Sequence, residues 1–350
     1  MSEINKPEYT DPLDSNNSYS ESDPNDTGVY NEWDRLREVM LGDVRESVLP
    51  QYQEDWGRYA NLKEFMPGNA GVKWIDRDPE SGQKMIEQVD NFEELLKSYG
   101  VKVHRPSSIP KSVRDGNRLL GDGMIYARDS HLVVGHHIIQ TNMRMTFRIK
   151  EHYCWSPLFQ KYCENNPGIR WINMPDVKPE PDGKTPAEWI ADRRLFVEGG
   201  DTFILDKDIL VGFSSLGSSP AGIDWLQRIL ADDGYRVHRV PLKDEWLHLD
   251  CCFAVIKEGL AVACMDAFKE GVPDPLKDWE FIEASPEECH VMGSNTLCLE
   301  PGKVFIGSKH ERLISEIEKR GCVPISVDYD AVEWNGGGIR CTTHPLVRKN

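Results

Sequence analysis

Three stretches of the chain carry the same alternation of apolar and polar positions. FILDKDILVGF from Phe203, FAVIKEGLAVAC from Phe253 and LCLEPGKVFIG from Leu297 each read as an apolar run, a polar break and a second apolar run. The breaks are Asp206-Lys207-Asp208, Lys257-Glu258-Gly259 and Glu300-Pro301-Gly302-Lys303. They hold the residue types that close β-hairpins, so each stretch predicts two antiparallel strands. YARDSHLVVG, from Tyr126, is a looser fourth copy, and REVMLG near the start predicts one more strand.

Between the hairpins the period changes. Met85 to Leu96, Ile223 to Leu230 and Glu311 to Lys319 place apolar residues at helical spacing, and each is followed by glycine and then a short alternating strand. The predicted unit is hairpin, helix, strand. Such units bury their apolar faces against one another, which favours a closed ring or a repeated α/β array over two unrelated domains. Residues 1–28 break the pattern: they are polar, acidic and poor in branched apolar side chains, and predict a disordered tail ahead of a single domain over 29–350. The tail lacks the basic start and apolar middle of a targeting peptide.

Composition narrows the partners. A net charge of −17 without any basic stripe excludes a nucleic-acid backbone as ligand and favours a small cation. The apolar runs are too short to cross a bilayer, so no membrane partner is expected. Nine cysteines, an odd number, suit a reducing compartment and free thiols, which predicts a cytoplasmic protein. No CxxC pair occurs, and Cys251 and Cys252 are expected on opposite faces of a strand, which argues against a metal site.

Polar residues gather just ahead of the hairpins: Asp129 in ARDS, Glu198 in FVEGGD, and His248 and Asp250 in EWLHLDCC. His248 and Asp250, two apart on an expected strand, would leave one face. Near the C-terminus, WNGGGIRCTTHPL brings Cys341 behind three glycines. Each feature has a plainer reading: Asp129 as a turn cap, the Glu198 segment as a loop, His248 as a packed histidine, the glycines as a loop before a strand cysteine. Their shared position ahead of repeated hairpins argues for convergence at one end of the assembly. A cysteine beside a histidine can attack an electron-poor carbon while imidazole protonates the leaving group. Extra carboxylates would repel a developing oxyanion, but suit a planar guanidinium, whose paired N–H edges match carboxylates.

Together VYNEWDRLREVMLG, ARDS, EGGD, HLD and GGGIRC resemble, in order and spacing, the motifs of the amidinotransferases, relatives of the arginine deiminases and dimethylargininases. The resemblance runs from Val29 to Arg348. It implies a pseudo-fivefold α/β propeller of ββαβ modules around a central active-site cavity. It further implies Cys341 as nucleophile, His248 as general acid and base, Glu198 as the acid orienting that histidine, and Asp129 and Asp250 as substrate clamps. The reaction would pass an amidino group from an arginine-like donor to an acceptor amine, without metal or organic cofactor; related enzymes often form homodimers. Arg340 is expected to face away from Cys341, and His344 stays unassigned. Glu198 stands where arginine-glycine transferases commonly have Asp, and Cys264 to Lys269 holds no arginine for a donor carboxylate. A hydrolase using water as acceptor is therefore the alternative, and a non-catalytic scaffold a third.

Overall fold

The computed structural model describes residues 28–50, 68–110, 113, 121–177 and 193–349. Residues 1–27 of the expected tail lie outside the described residues. Gly28 already belongs to the fold: it forms a bridge with Val347, and its carbonyl accepts the Arg348 N–H at 2.9 Å.

Among the described residues fifteen strands form five three-stranded sheets. Each sheet has one plan, an antiparallel pair whose middle strand carries a third strand in parallel. In chain order the first sheet to be completed joins β3 (His131–Val134), β4 (His137–Gln140) and β5 (Arg170–Asn173). The next joins β6 (Thr202–Leu205), β7 (Asp208–Phe213) and β8 (Arg236–Pro241). Then follow β9 (Phe253–Lys257), β10 (Leu260–Ala263) and β11 (Glu280–Glu283), and β12 (Leu297–Glu300), β13 (Lys303–Gly307) and β14 (Val323–Val327). The remaining sheet is built from both chain ends: β15 (Thr343–Arg348) pairs antiparallel with β1 (Leu36–Leu41), which carries β2 (Lys102–His104) in parallel.

A parallel return requires a crossover, and four of the five use a helix. These are α1 (Pro79–Ser98), α2 (His152–Asn165), α3 (Pro220–Leu230) and α4 (Glu311–Lys319). Asp78 caps α1 through the Ser81 N–H, and Ser219 caps α3 through the Gly222 N–H, each with proline in the first turn. Gly100, Gly234 and Gly321, the glycines read from sequence as helix ends, adopt φ of 77°, 78° and 69°. The β10–β11 crossover departs from the expected unit. It consists of 3₁₀ turns at Met265–Ala267 and Asp274–Leu276, because Gly271, Pro273 and Pro275 interrupt any helix.

Neighbouring sheets share apolar layers. Phe203 of β6 meets Phe253 of β9 edge to face at 4.8 Å, and Phe92 of α1 meets Phe305 of β13 at 5.3 Å. The YNEWD segment is wedged among them. Asn31 bridges to Leu205, Trp33 packs in the core, and Glu32 forms a buried two-pronged ion pair with Arg340 (2.6 and 3.2 Å).

Three local expectations are corrected. In YARDSHLVVG only the second half is strand; its hairpin turn is Gly135-His136, and Tyr126 to Ser130 form the turn ahead of it. His248, Asp250, Cys251 and Cys252 do not lie on a strand: Leu249–Cys251 is a 3₁₀ turn and β9 starts at Phe253. Cys341 sits in the turn before β15, so strand alternation does not set the direction of Arg340. Arg340 does point away, held by Glu32, by the Thr202 carbonyl at 2.9 Å and over the Phe203 ring.

Candidate active site

In every sheet the strand paired antiparallel to the middle one, β3, β6, β9, β12 or β15, is preceded by a turn, and these turns bring the polar residues together. Asp129 precedes β3, Glu198 leads the Gly199–Asp201 turn before β6, His248 leads the Leu249–Cys251 turn before β9, and Cys341 precedes β15. The fifth position, ahead of β12, holds Asn295. Sequence reasoning attended to ionisable and nucleophilic groups and passed over it. Its place ahead of the LCLEPGKVFIG hairpin was the available clue.

Asp129, Glu198, His248, Asp250 and Cys341 are all buried. Contacts join them in two groups, Glu198 with His248 and Asp129, and Asp250 with Cys341, which act on each other through their charges. His248 Nε2 lies 3.0 Å from Glu198 Oε2, while its Nδ1 lies 3.8 Å from Asp129 Oδ1. The other Glu198 oxygen accepts the Arg144 N–H at 2.9 Å, and the Glu198 N–H donates to Ser218 Oγ. Asp201 ties the two turns together, accepting the Ser218 N–H at 2.9 Å and the Leu249 N–H at 3.0 Å. Glycine is required here by contact: a Cβ on Gly200 would stand 2.5 Å from His248 Nδ1. Burial works against a charged imidazole, but Asp129, Glu198 and Asp201 outweigh it and hold the His248 pKa up at about 10. Burial pushes Asp201 the other way from an ordinary carboxyl, up to about 7.

Asp129 is already partly engaged. Its Oδ1 accepts the Gly200 N–H at 3.1 Å and its Oδ2 accepts Arg148 at 2.7 Å. Arg148 is locked in turn by two bonds of 2.8 Å to Glu151. Burial opposes ionisation of Asp129, but His248 and Arg148 prevail and its pKa lies below the usual value. Asp250 differs. It is 0% exposed, and among the described residues its carboxylate meets only thiols, Cys341 Sγ at 3.6 Å and Cys251 Sγ at 3.8 Å. Burial accordingly raises its pKa.

Asn295 Nδ2 lies 3.2 Å from Cys341 Sγ, and Asn295 Oδ1 accepts the Cys341 N–H at 3.1 Å. Burial, then Asp250 and Asp129, hold the Cys341 thiol well above its ordinary pKa. The three glycines ahead of it answer to separate demands. Gly336 adopts φ of 96°, a Cβ on Gly337 would stand 2.3 Å from Tyr126, and one on Gly338 would stand 2.6 Å from Asn295 Oδ1. His344 lies off the group, with Nδ1 bonded to the Arg128 carbonyl at 3.0 Å, and burial beside Arg128 lowers its pKa to about 3.

The arrangement holds the Cys341 thiol, the His248 imidazolium and the Asp129, Glu198 and Asp250 carboxylates in a buried space. That is a centre for nucleophilic attack on a cationic carbon with proton delivery to the leaving group. The only metal-like grouping of histidine, cysteine and acidic side chains among the described residues, His136, His137 and Asp233, is elsewhere, at the turn between β3 and β4. Among the described residues no helix is long and apolar enough to cross a membrane.

The family model described as N,N dimethylarginine dimethylhydrolase, eukaryotic, matches residues 187–348. Over 370 residues the chain is 26% identical to the mitochondrial glycine amidinotransferase of Gallus gallus, covering 91% of this chain and 82% of that protein. It is also 26% identical over 349 residues to the L-arginine:L-lysine amidinotransferase of Pseudomonas savastanoi pv. phaseolicola, covering 91% and 94%. The solved inosamine-phosphate amidinotransferase of Streptomyces griseus superposes with a TM-score of 0.78 at 23% identity, over 93% of this chain and 97% of that one, so the fold is shared. Over nine-tenths of its length the chain is thus similar in sequence to amidinotransferases.

Proposed function

We propose that the chain is an amidinotransferase, moving an amidino group from arginine or a related guanidino donor to an acceptor amine through an amidino-Cys341 intermediate. The observation that carries this reading is Asp250: a fully buried carboxylate without an N–H partner among the described residues, 3.6 Å from the nucleophilic sulfur. Such a group is costly unless a cation arrives, and a guanidinium supplies both charge and paired N–H donors.

The five sheets are read as blades of a pseudo-fivefold propeller, over residues 29–350 as one domain, with the five leading turns at the mouth of its centre. The free state of all nine cysteines supports a reducing, cytoplasmic setting.

In the resting site Cys341 is a thiol and His248 an imidazolium. Asp250 and Asp129 hold the donor guanidinium, whose charge cancels the two carboxylate fields that, together with burial, keep the thiol protonated. The thiol therefore ionises as the donor binds and its proton leaves to solvent, His248 being already protonated. The thiolate attacks the central guanidinium carbon. His248 gives its proton to the departing amine nitrogen as the C–N bond breaks, leaving an S-amidino cysteine. Glu198 keeps the imidazole turned toward that nitrogen. The now neutral His248 takes a proton from the acceptor amine as it attacks the amidino carbon, and the C–S bond breaks to restore the thiolate.

A second reading, hydrolysis with water as acceptor, is favoured by the dimethylarginine hydrolase model over residues 187–348 and by Glu198 at the orienting position. Incubation with arginine tests both. Acid-quenched protein should carry one amidino group on the Cys341 peptide, and ornithine should accumulate only when an amine is added. Steady citrulline and ammonia release from arginine alone would select the hydrolase. Absence of any adduct with arginine and a panel of guanidino donors would defeat both.

A further inference from the structure

Asn295 makes four contacts with its amide, the full capacity of that group short of bifurcation. Oδ1 accepts the backbone N–H of Arg340 at 2.9 Å and of Cys341 at 3.1 Å. Nδ2 donates to the Asp250 carbonyl at 2.9 Å and to Cys341 Sγ at 3.2 Å. The two backbone donors fix which end of the amide is oxygen, so its NH₂ faces the sulfur; a flipped amide would lose all four bonds. Asn295 is buried, and its neighbour Ser294 is anchored to the Cys251 carbonyl at 2.9 Å, so the turn ahead of β12 is tied to the Asp250 turn at two points. Gly338 completes the arrangement, since a side chain there would collide with Asn295 Oδ1.

From this geometry we infer that Asn295 is a catalytic residue whose amide N–H stabilises the Cys341 thiolate when it attacks and again when it leaves, while the same amide holds nucleophile and Asp250 clamp in register. The inference rests on the reading of Cys341 as nucleophile. The sulfur lies beside Asp250, a like charge once ionised, so a fixed N–H dipole on its other side has a specific task. A thioether is a weaker acceptor than a thiolate, so this bond is strongest in the two states in which sulfur carries charge. It therefore favours the ends of the covalent half-reactions over the adduct between them.

The test compares Asn295→Ala with Asn295→Asp in the full-length chain, without substrate. Iodoacetamide modification of the Cys341 peptide is followed by mass spectrometry across pH, and thermal melts confirm folding. Aspartate keeps the shape and the acceptor oxygen but puts an anionic oxygen against Cys341 Sγ and the Asp250 carbonyl, where the donor was; alanine removes donor and acceptor together. A role confined to the backbone bonds that Oδ1 accepts, which aspartate keeps, makes Asp the milder change at the sulfur. A donor role makes it the more severe one. Alanine is expected to raise the alkylation midpoint by about one pH unit, slowing modification roughly tenfold below it, and aspartate to raise it further. An Asp midpoint between wild type and Ala, or midpoints that do not move, would overturn the inference. Should the Asp variant not fold, an unmoved Ala midpoint alone overturns it and a raised one supports it. Because no substrate is present, shifted midpoints with no amidino adduct would refute the guanidino reading alone. Unmoved midpoints with a normal adduct would refute the Asn295 role alone.

Discussion

Glu198→Gln removes one charge from the group that holds His248 protonated, and its effect can be sized from the contacts. Gln can still accept the Arg144 N–H, but its amide nitrogen would face His248 Nε2, where a carboxylate oxygen now lies at 3.0 Å. A hydrogen bond to a charged group contributes about 1.5–3 kcal/mol, equivalent to about 1–2 pKa units. Asp129 at 3.8 Å and the nearby Asp201 remain, so the His248 pKa should fall from about 10 to roughly 8–9 rather than to its ordinary value. The sign follows from the role: the acid works protonated, so activity is present below this pKa and lost as pH rises through it. Near neutral pH the variant should stay close to wild type, whereas around pH 9.5 it should be roughly tenfold slower. The raised pKa also stabilises the wild-type fold fully below its unfolded value near 6.5, a contribution lost as pH rises toward 10, and the variant should lose it earlier. The assay is kcat/KM for arginine with an excess acceptor amine from about pH 6 to pH 11, alongside imidazole NMR titration of His248. An unmoved basic limb with a uniform loss at every pH would show that Glu198 acts through packing alone.

Asp250→Asn should raise the KM for the donor roughly tenfold or more, by removing a charge-assisted clamp. In the same protein without substrate, Cys341 should alkylate faster, because the neighbouring charge that keeps its thiol protonated is gone. Slower alkylation, or an unchanged KM, would contradict the clamp assignment. Glu32→Gln should cost about 3–5 kcal/mol in denaturant unfolding, because it strips the partner from buried Arg340 and weakens the balance around Arg128 and Arg348. Burial opposes the Glu32 charge but the arginines hold its pKa down at about 2, so its contribution is present above the unfolded value of 4.5 and fades as pH falls toward about 2. A gap between wild type and variant that does not narrow in acid would refute this account.

The hairpins at Phe203, Phe253 and Leu297 were legible because each strand buries an uninterrupted apolar run and each break carries turn residues. The first and last strands were harder, since β1 and β15 belong to one sheet but lie at opposite ends of the chain, a pairing that local periodicity does not encode. Similarly, YNEWD is recognisable as a motif, but its reason emerges only when Glu32 meets Arg340 across the molecule. The candidate site was found through position ahead of the hairpins, although the reasoning about orientation differed from what the backbone does. Strand alternation placed His248 and Asp250 on one face; a 3₁₀ turn led by His248 brings both inward instead. That distinction matters physically. A turn can aim each side chain without dictating its neighbour, so Asp250 reaches Cys341 Sγ while Cys252, two residues on, bonds the Leu249 carbonyl. With one such turn per sheet, nucleophile, proton donor, clamps and the Asn295 amide can each vary without rebuilding the strands behind them. Position ahead of the strand that pairs antiparallel with the middle of each sheet, rather than residue type, is thus the informative quantity, and it is the criterion by which Asn295 stands beside the four ionisable turns.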